Sequence, residues 1–238
     1  MTGTAPTALV VVPTYNEREN LPLLVEGLLA HPHVSVLVVD DDSPDGTAAL
    51  AHDLAARHEG RLRVLHRRAN RGLGRSYVDG LKLAVDEPVD VICQMDADLS
   101  HDPAELPRLI AGTATADVVI GSRYVSGGTI VNWPLRRRLL SRFANMYVRT
   151  VTRLSARDCT SGYRCWRREA LVGMPLDRFI SDGYSFLIEM LYVAARRGCR
   201  VGEVPITFVE RRLGESKLSR AVMIESAVTP WRLIGRDS

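Results

Sequence analysis

The feature that most constrains this chain is an alternation in its first half, where short apolar runs are separated by longer stretches of helical spacing. Ala8-Leu9-Val10-Val11-Val12 is the first run, and Pro13 is expected to stop it. From Glu19 to Ala30, Leu21, Leu24, Val25, Leu28 and Leu29 recur at helical intervals. Val34 to Val39, Leu62 to Leu65, Val89 to Met95 and Val118 to Ile120 are further strand runs. Thr47 to His58, Arg75 to Val85 and Pro103 to Ala111 read as helices between them. Strands that alternate with helices build βαβ units and a parallel sheet. The expected class is therefore α/β, a Rossmann-like, mostly parallel central sheet with flanking helices in a single domain. Ligands in such sheets bind beyond the carboxyl ends of the strands. Tyr15, Asp40 to Asp42 and Asp96 to Asp98 all fall just past a strand end.

The second half reads differently. Gly127-Gly128 opens a loop, Pro134 to Leu154 is a long Arg-rich helix, and Gly183 to Arg197 is a helix ended by Gly198. Arg200 to Phe208 is extended, with Pro205 marking an edge or irregular strand. Val209 to Leu218 is a polar loop, and Arg220 to Leu233 has helical periodicity broken by Pro230. No stretch reaches the roughly 20 apolar residues of a bilayer span, and the N-terminus has no signal-peptide pattern. The four cysteines, Cys93, Cys159, Cys165 and Cys199, lack CxxC spacing. They read as reduced core thiols rather than a zinc site, which points to the cytoplasm.

Charge divides the chain more sharply than its net value of +3 suggests. Residues 1–121 hold 10 Lys+Arg against 18 Asp+Glu, whereas residues 122–238 hold 21 against 10. An acidic half suits a cation, and a basic half suits phosphate or an anionic surface. Nucleic acid is not expected, because the basic half has neither aromatic interleaving nor a recognisable module. Lys82 and Lys217 are the only lysines.

Asp96 and Asp98 are spaced i, i+2 at a strand end, so both carboxylates can reach one hard cation such as Mg²⁺ or Mn²⁺ beside substrate phosphates. The spacing alone is common; its position after an apolar strand makes it a candidate site. In Asp40 to Thr47, Asp45 and Thr47 suit helix capping, and Asp41 suits acceptance from the N–H groups of a nucleobase. Tyr15 can stack on a base, Glu17 can accept from a ribose hydroxyl, and Asn16 can equally cap the helix that follows. Arg71-Gly72-Leu73-Gly74 is a tight turn before a helix and not a P-loop.

In order, these segments resemble the polyprenyl (dolichyl) phosphate mannosyltransferases of the polyprenol monophosphomannose synthase type. The first half carries Pro13-Thr14-Tyr15-Asn16-Glu17, Asp40-Asp41 with Ser43 to Thr47, Gly72 to Gly74, and Met95 to His101. The second half carries Gly121 to Tyr124, Trp133 with Arg137, Ser141 to Asn145, Thr160 to Arg164, Gly202 to Ile206, and Arg211 with Gly214 to Lys217. The resemblance covers residues 9 to about 220. It implies a GT-A fold and an inverting transfer of mannose from GDP-mannose to a polyprenyl monophosphate. It implies a nucleotide-sugar-binding half over 1–121 and an acceptor half over 122–238 with a C-terminal interfacial helix. The nucleotide sugar would be held by Pro13, Tyr15, Glu17, Val39, Asp41, Asp96, Ala97 and Asp98, with Arg211 and Lys217 closing on its phosphates. Asp96 and Asp98 would ligate the metal. Ser100 would be a third ligand or act through a water, or not at all, because its hydroxyl is shorter than the glutamine of some relatives. Arg123 and Arg137 would hold the acceptor phosphate.

A phosphate monoester needs no base to make it a nucleophile, so Asp182 and Glu189 are only fallback bases. The expected setting is the cytoplasmic face of a membrane. The 134–154 segment is either an interfacial helix or an amphipathic helix packed on the sheet, and an integral-membrane partner protein is compatible with either. Two rivals remain at this point. One is transfer of glucose or another sugar from a UDP-sugar. The other is a sugar-phosphate nucleotidyltransferase, which would want a Gly-rich basic loop where Pro13 to Glu17 stands.

Overall fold

The computed structural model describes residues 5–69, 71–179, 181, 183–210 and 220–236. Its elements run β1 (Ala8–Thr14), α1 (Leu21–Leu29), β2 (Val34–Asp40), α2 (Thr47–Arg57), β3 (Leu62–His66), α3 (Leu73–Val85), β4 (Val91–Gln94) and, after a 3-10 turn at Pro103–Glu105, α4 (Leu106–Gly112). Then come β5 (Val118–Ser122), β6 (Thr129–Val131), α5 (Leu135–Thr152), β7 (Arg164–Arg167), α6 (Arg168–Leu171), α7 (Gly183–Arg196), β8 (Val201–Pro205), β9 (Thr207–Val209) and α8 (Arg220–Arg236).

Seven strands form the main sheet in the order β3-β2-β1-β4-β7-β5-β8. All neighbours are parallel except at β7, which runs antiparallel to both β4 and β5. Side chains alternate across the sheet as the two-residue strand period requires. Leu9, Val11, Leu37 and Val39 face Tyr77, Leu81, Phe186 and Leu187 of α3 and α7. Val10, Val12, Val36 and Val38 face Leu21, Leu24 and Leu28 of α1 and Leu54 of α2. Each such buried Leu or Val contributes about 1.5–3 kcal/mol relative to leaving it in water, so both faces must stay covered. Because β2 and β3 lie to one side of β1 and β4 to the other, a crevice opens between the ends of β1 and β4.

The expected α/β class holds, with four local corrections. Pro13 does not stop β1: the strand continues to Thr14, with Pro13 opposite Val39. Pairing of β1 with β4 ends at Val11, so the missing N–H of Pro13 interrupts no ladder. The stretch 200–208 is two strands rather than one. After Pro205 the chain passes through Ile206, whose N–H donates to Ser122 O and whose carbonyl accepts from Thr129 N, into a small parallel sheet of β6 and β9. Pro230 lies inside α8 without ending it. An interior proline costs a helix about 3 kcal/mol, and packing of α8 on α5 and α7 offsets that. Finally, β7 carries arginine at both ends and gave no apolar run from which to read it.

Candidate functional site

One wall of the site grows from the ends of β1 and β2. Asp40 is wholly buried and ties the turn together, accepting from Thr14 Oγ1, Ser43 N and Ser43 Oγ at 2.9, 3.0 and 2.6 Å. Asp45 accepts from Thr47 N and Thr47 Oγ1 at 2.9 and 2.6 Å, the structural role its position suggested. Asn16 N–H donates to Ser43 Oγ and Glu17 N–H to Thr47 Oγ1, both at 3.0 Å, so the two turns are laced into one wall. Asn16 does not cap α1; it adopts φ +61°, which asparagine tolerates better than most residues. Asp41 accepts from Arg67 Nη1 and, at 2.7 Å, from Gly72 N. The Arg71 guanidinium lies 5.8 Å from the centre of the Tyr15 ring.

The carboxylate pair sits at the end of β4. Tyr77 donates its phenol proton to Asp96 Oδ1 at 2.9 Å. Burial, and then the Asp96 charge, push the Tyr77 phenol well above its ordinary pKa, so it stays a donor. Asp98 Oδ1 accepts from Ser100 N at 3.1 Å across a turn in which Leu99 has φ +58°. Gly162 packs directly on Asp96: a Cβ there would stand 2.8 Å from Asp96 Oδ2. Among the described residues no group of three or more His, Cys, Asp or Glu forms a complete ligand set. Two carboxylates completed by substrate oxygens or water are nevertheless a donor set that a hard divalent cation accepts. His101 is buried with its Nδ1 unpartnered, its ring against Tyr163 and Phe208 at 5.2 and 5.3 Å. Burial holds its pKa below the usual histidine value against the opposing pull of Asp96 and Asp98, so its imidazole is neutral.

Across the cleft stand the two arginines. Arg123 is only 8% exposed and donates Nε and Nη2 to the two oxygens of Asp158, both at 2.7 Å, and Nη2 also to Thr160 Oγ1 at 2.8 Å. Burial alone would raise the Asp158 pKa, but the charge and hydrogen bonds of Arg123 outweigh it and hold the carboxyl below its ordinary value. Arg137, on the first turns of α5, pairs with Glu210. Trp133 lies between the arginines, 4.1 Å from the Arg137 guanidinium and 5.7 Å from that of Arg123. Asn145 fastens α5 to the loop before β7, donating to Thr160 Oγ1 at 3.2 Å and accepting from Cys159 N at 2.8 Å. Arg164 is wholly buried and donates to the carbonyls of Cys159, Ser161 and Leu187 at 2.8, 2.9 and 2.6 Å, fixing the same loop from beneath.

One cleft of about 850 Å³ joins these parts. Pro13, Tyr15, Glu17, Asp41, Asp96, Asp98, Ser100, Arg123 and Arg137 all line it, and it continues between Leu140, Phe143 and Tyr147 of α5, Leu187 and Ile188 of α7 and Ala227 of α8. Val39 and Ala97 have their side chains buried in the two core faces, and neither lines the cleft. Arg211, Lys217 and Asp182 lie outside the described residues. Glu189 is buried in α7, accepts from Ser181 N at 3.0 Å and does not line the cleft. Asp158 and Arg67 were not among the expected site residues, and Arg164 entered only as part of the Thr160 to Arg164 motif. Asp158 stands two residues before the Thr160 to Arg164 motif, and a lone carboxylate beside an arginine-bearing motif was the available signal.

The burial of helix α5 bears on the alternative left open for the 134–154 segment. It buries only Asn145, Val148 and Thr152. Leu135, Leu139, Leu140, Phe143 and Met146 are exposed, so it is not an amphipathic helix with its apolar side on the sheet. No helix among the described residues is long and apolar enough to cross a membrane.

Comparison with known proteins agrees with this geometry. The profile described as glycosyl transferase family 2 matches residues 9–173. A polyprenol monophosphomannose synthase from Mycolicibacterium smegmatis is 49% identical over 233 residues, covering 96% of this chain and 88% of that protein. An undecaprenyl-phosphate mannosyltransferase from Micrococcus luteus is 47% identical over 231 residues, covering 96% and 95%. Among solved structures, glucosyl-3-phosphoglycerate synthase from Mycobacterium tuberculosis, in complex with Mn²⁺, UDP and glucosyl-3-phosphoglycerate, superposes with a TM-score of 0.68. It is 19% identical, and the match covers 97% of this chain and 80% of that one, a likeness of fold.

Proposed function

The chain belongs to glycosyl transferase family 2, and from that premise we propose that it transfers mannose from GDP-mannose to a polyprenyl monophosphate, with inversion, at a membrane surface. The observation that carries this reading is the continuity of the cleft from the strand-end carboxylates, past two arginines, to an apolar groove. A nucleotide sugar, a phosphate and a prenyl chain each find a matching stretch of it.

Asp96 and Asp98 would hold a divalent cation, Mg²⁺ or Mn²⁺, which when bound supplies countercharge to the leaving diphosphate; the M. tuberculosis relative of similar fold was crystallised with Mn²⁺. Tyr77 and Gly162 keep the Asp96 carboxylate in place. Pro13, Tyr15, Glu17 and Asp41 receive the nucleoside, and Arg211 and Lys217, outside the described residues, are the family's expected partners for its phosphates. On the other wall, Arg123 and Arg137 bind the acceptor phosphate, which displaces the Glu210 carboxylate from Arg137. The second pKa of a phosphate monoester is about 6, so it arrives largely dianionic and attacks without surrendering a proton. Two guanidinium contacts of roughly 1.5–3 kcal/mol each offset its repulsion from the donor diphosphate. The acceptor's chain then lies along α5, α7 and α8. Exposed Leu135, Leu139, Phe143, Met146 and Trp231, with Arg136, Arg138 and Arg142 beside them, suit the boundary of an anionic bilayer at the cytoplasmic face.

The deciding experiment incubates the protein with radiolabelled GDP-mannose, Mg²⁺ and a polyprenyl phosphate, then extracts with organic solvent. Label is expected in the organic phase. Label that stays in water while UDP-glucose labels the lipid would replace this donor with the alternative one, and no transfer from any nucleotide sugar would reject the reading.

A further inference from the structure

We infer that Arg67, a residue outside the cleft, sets the nucleobase preference of the donor site by holding the Asp41 carboxylate in a fixed plane; this rests on Asp41 reading the base, as in the function proposed above. Arg67 follows β3 directly, and its own N–H donates to Asp40 O at 2.8 Å, so its backbone is a one-residue continuation of the β2–β3 ladder. Its side chain is 5% exposed and is held from two directions. Nη1 donates to Asp41 Oδ1 and, at 2.9 Å, to Ser76 Oγ, while Nε donates to Asp79 Oδ2 at 2.7 Å. Ser76 and Asp79 are one turn apart on α3. The guanidinium is therefore anchored in a helix before it touches Asp41.

The second Asp41 oxygen is held independently. Gly72 N–H donates to Oδ2 at 2.7 Å, from a residue with φ +144° that L side chains rarely adopt. One donor on each oxygen, from rigid elements on the protein side, removes rotation about the last torsion of the side chain. Each carboxylate oxygen accepts more than one hydrogen bond, so the fixed pair keeps acceptor capacity, and Asp41 lines the cleft.

That presentation discriminates between bases. The guanine edge offers two adjacent donors, N1–H and the 2-amino group, which match a carboxylate held edge-on. Uracil offers one N–H flanked by two carbonyls, and adenine sets a ring acceptor beside its amino group; both place lone pairs against the carboxylate. A site built for paired donors rejects a ligand that lacks one, because the buried acceptor is left unmatched. Freed from Arg67, the carboxylate can rotate to satisfy a single donor, and the discrimination falls. Lysine does not replace the fork, because one ammonium cannot present the same planar, spaced donors.

The test compares wild type with Arg67→Lys, Arg67→Met and Asp79→Asn. It measures steady-state transfer with GDP-mannose and UDP-glucose, and binding of GDP and UDP to the full protein in Mg²⁺. In both Arg67 variants the expected outcome is a rise in KM for GDP-mannose of about 10–100-fold, the worth of one charged hydrogen bond. kcat should stay within about threefold and KM for the lipid acceptor should not change. The GDP-over-UDP binding ratio should fall to that of Asp41→Asn, and Arg67→Met combined with Asp41→Asn should fall no further. Asp79 has its side chain 45% exposed, so Asp79→Asn keeps the fold and should move the ratio the same way by a smaller factor. Loss of melting temperature and kcat with the wild-type base preference retained would reduce Arg67 to a purely structural residue and overturn the inference. Absence of a GDP preference in wild type would instead overturn the donor assignment on which it rests.

Discussion

The two walls of the cleft solve opposite electrostatic problems by opposite means. On the wall proposed for the donor, the two carboxylates beyond β4 accept from neutral groups, Asp96 from the Tyr77 phenol and Asp98 from the Ser100 amide, while Asp41 accepts from the Arg67 guanidinium. On the acceptor wall, two arginines are already engaged by carboxylates, Arg123 by buried Asp158 and Arg137 by half-buried Glu210. An unpaired buried guanidinium costs several kcal/mol, so Asp158 is what allows Arg123 to be 8% exposed in a partly apolar cleft. Of these contacts the one at Asp98 is local in sequence, whereas Tyr77 is 19 residues from Asp96, Asp158 35 from Arg123 and Glu210 73 from Arg137.

The sharpest way to break the contrast is to remove charge from the donor wall. Asp96→Asn or Asp98→Asn should lower transfer by on the order of a thousandfold, as loss of a principal source of leaving-group stabilisation does, while Arg-wall binding of the lipid phosphate is retained. Lipid binding and transfer measured on the same preparation check this. Next comes Gly162→Ala, which brings a methyl 2.8 Å from Asp96 Oδ2. Transfer should fall by about a hundredfold, the effect of a misplacement near 1 Å, with divalent-cation affinity reduced in calorimetry.

Asp158→Asn tests the opposite wall. It should destabilise the protein by about 3–5 kcal/mol, since it breaks a buried pair and leaves Arg123 uncompensated, and raise KM for the acceptor alone. Its pH signature follows from the depressed Asp158 pKa. The pair's stabilisation is present in full above the ordinary value of 3.8 and is lost as pH falls through the lower folded value. Wild type should lose this stability only below about pH 4. Asp158→Asn should lack that limb, which thermal melts across an acid series will show. Smallest in its effect on transfer is changing Arg136, Arg138 and Arg142 together to Ala. Partition onto anionic liposomes should fall by on the order of a hundredfold, at about 1 kcal/mol per surface arginine, while transfer to a short-chain, detergent-dispersed acceptor should not change. Undiminished flotation would remove the basic face from the membrane reading.

The same contrast explains what could be read from the sequence. Strands β1, β2, β4 and β5 were legible because buried parallel strands show as near-continuous Val, Ile and Leu runs. The carboxylates were legible because the strand runs pointed to them. By contrast, β7 is built from Arg164, Cys165, Trp166 and Arg167, and its burial between β4 and β5 exists only in three dimensions. The break at Ile206 and the persistence of α8 through Pro230 depend on packing partners that no local window contains. Arg123 was identified by motif, but Asp158 is 35 residues away and Arg67 is 26 residues from Asp41. Their roles are pairings, and a pairing has no periodicity.

The position of β7 has a consequence for how the chain is made. Residues 164–167 form the strand between residues 91–94 and residues 118–122. Until they leave the ribosome, β4 has a bare edge and β5 has neither neighbour, since β8 comes later still. At about 5–20 residues per second, the nascent acidic half waits several seconds with unpaired strand edges that chaperones or other nascent chains can engage. The boundary between the charge-divided halves near residue 121 is thus no boundary for folding. Ribosome stalling or premature termination anywhere before Arg167 leaves an open sheet, and termination before Gly162 leaves Asp96 without the wall that confines it.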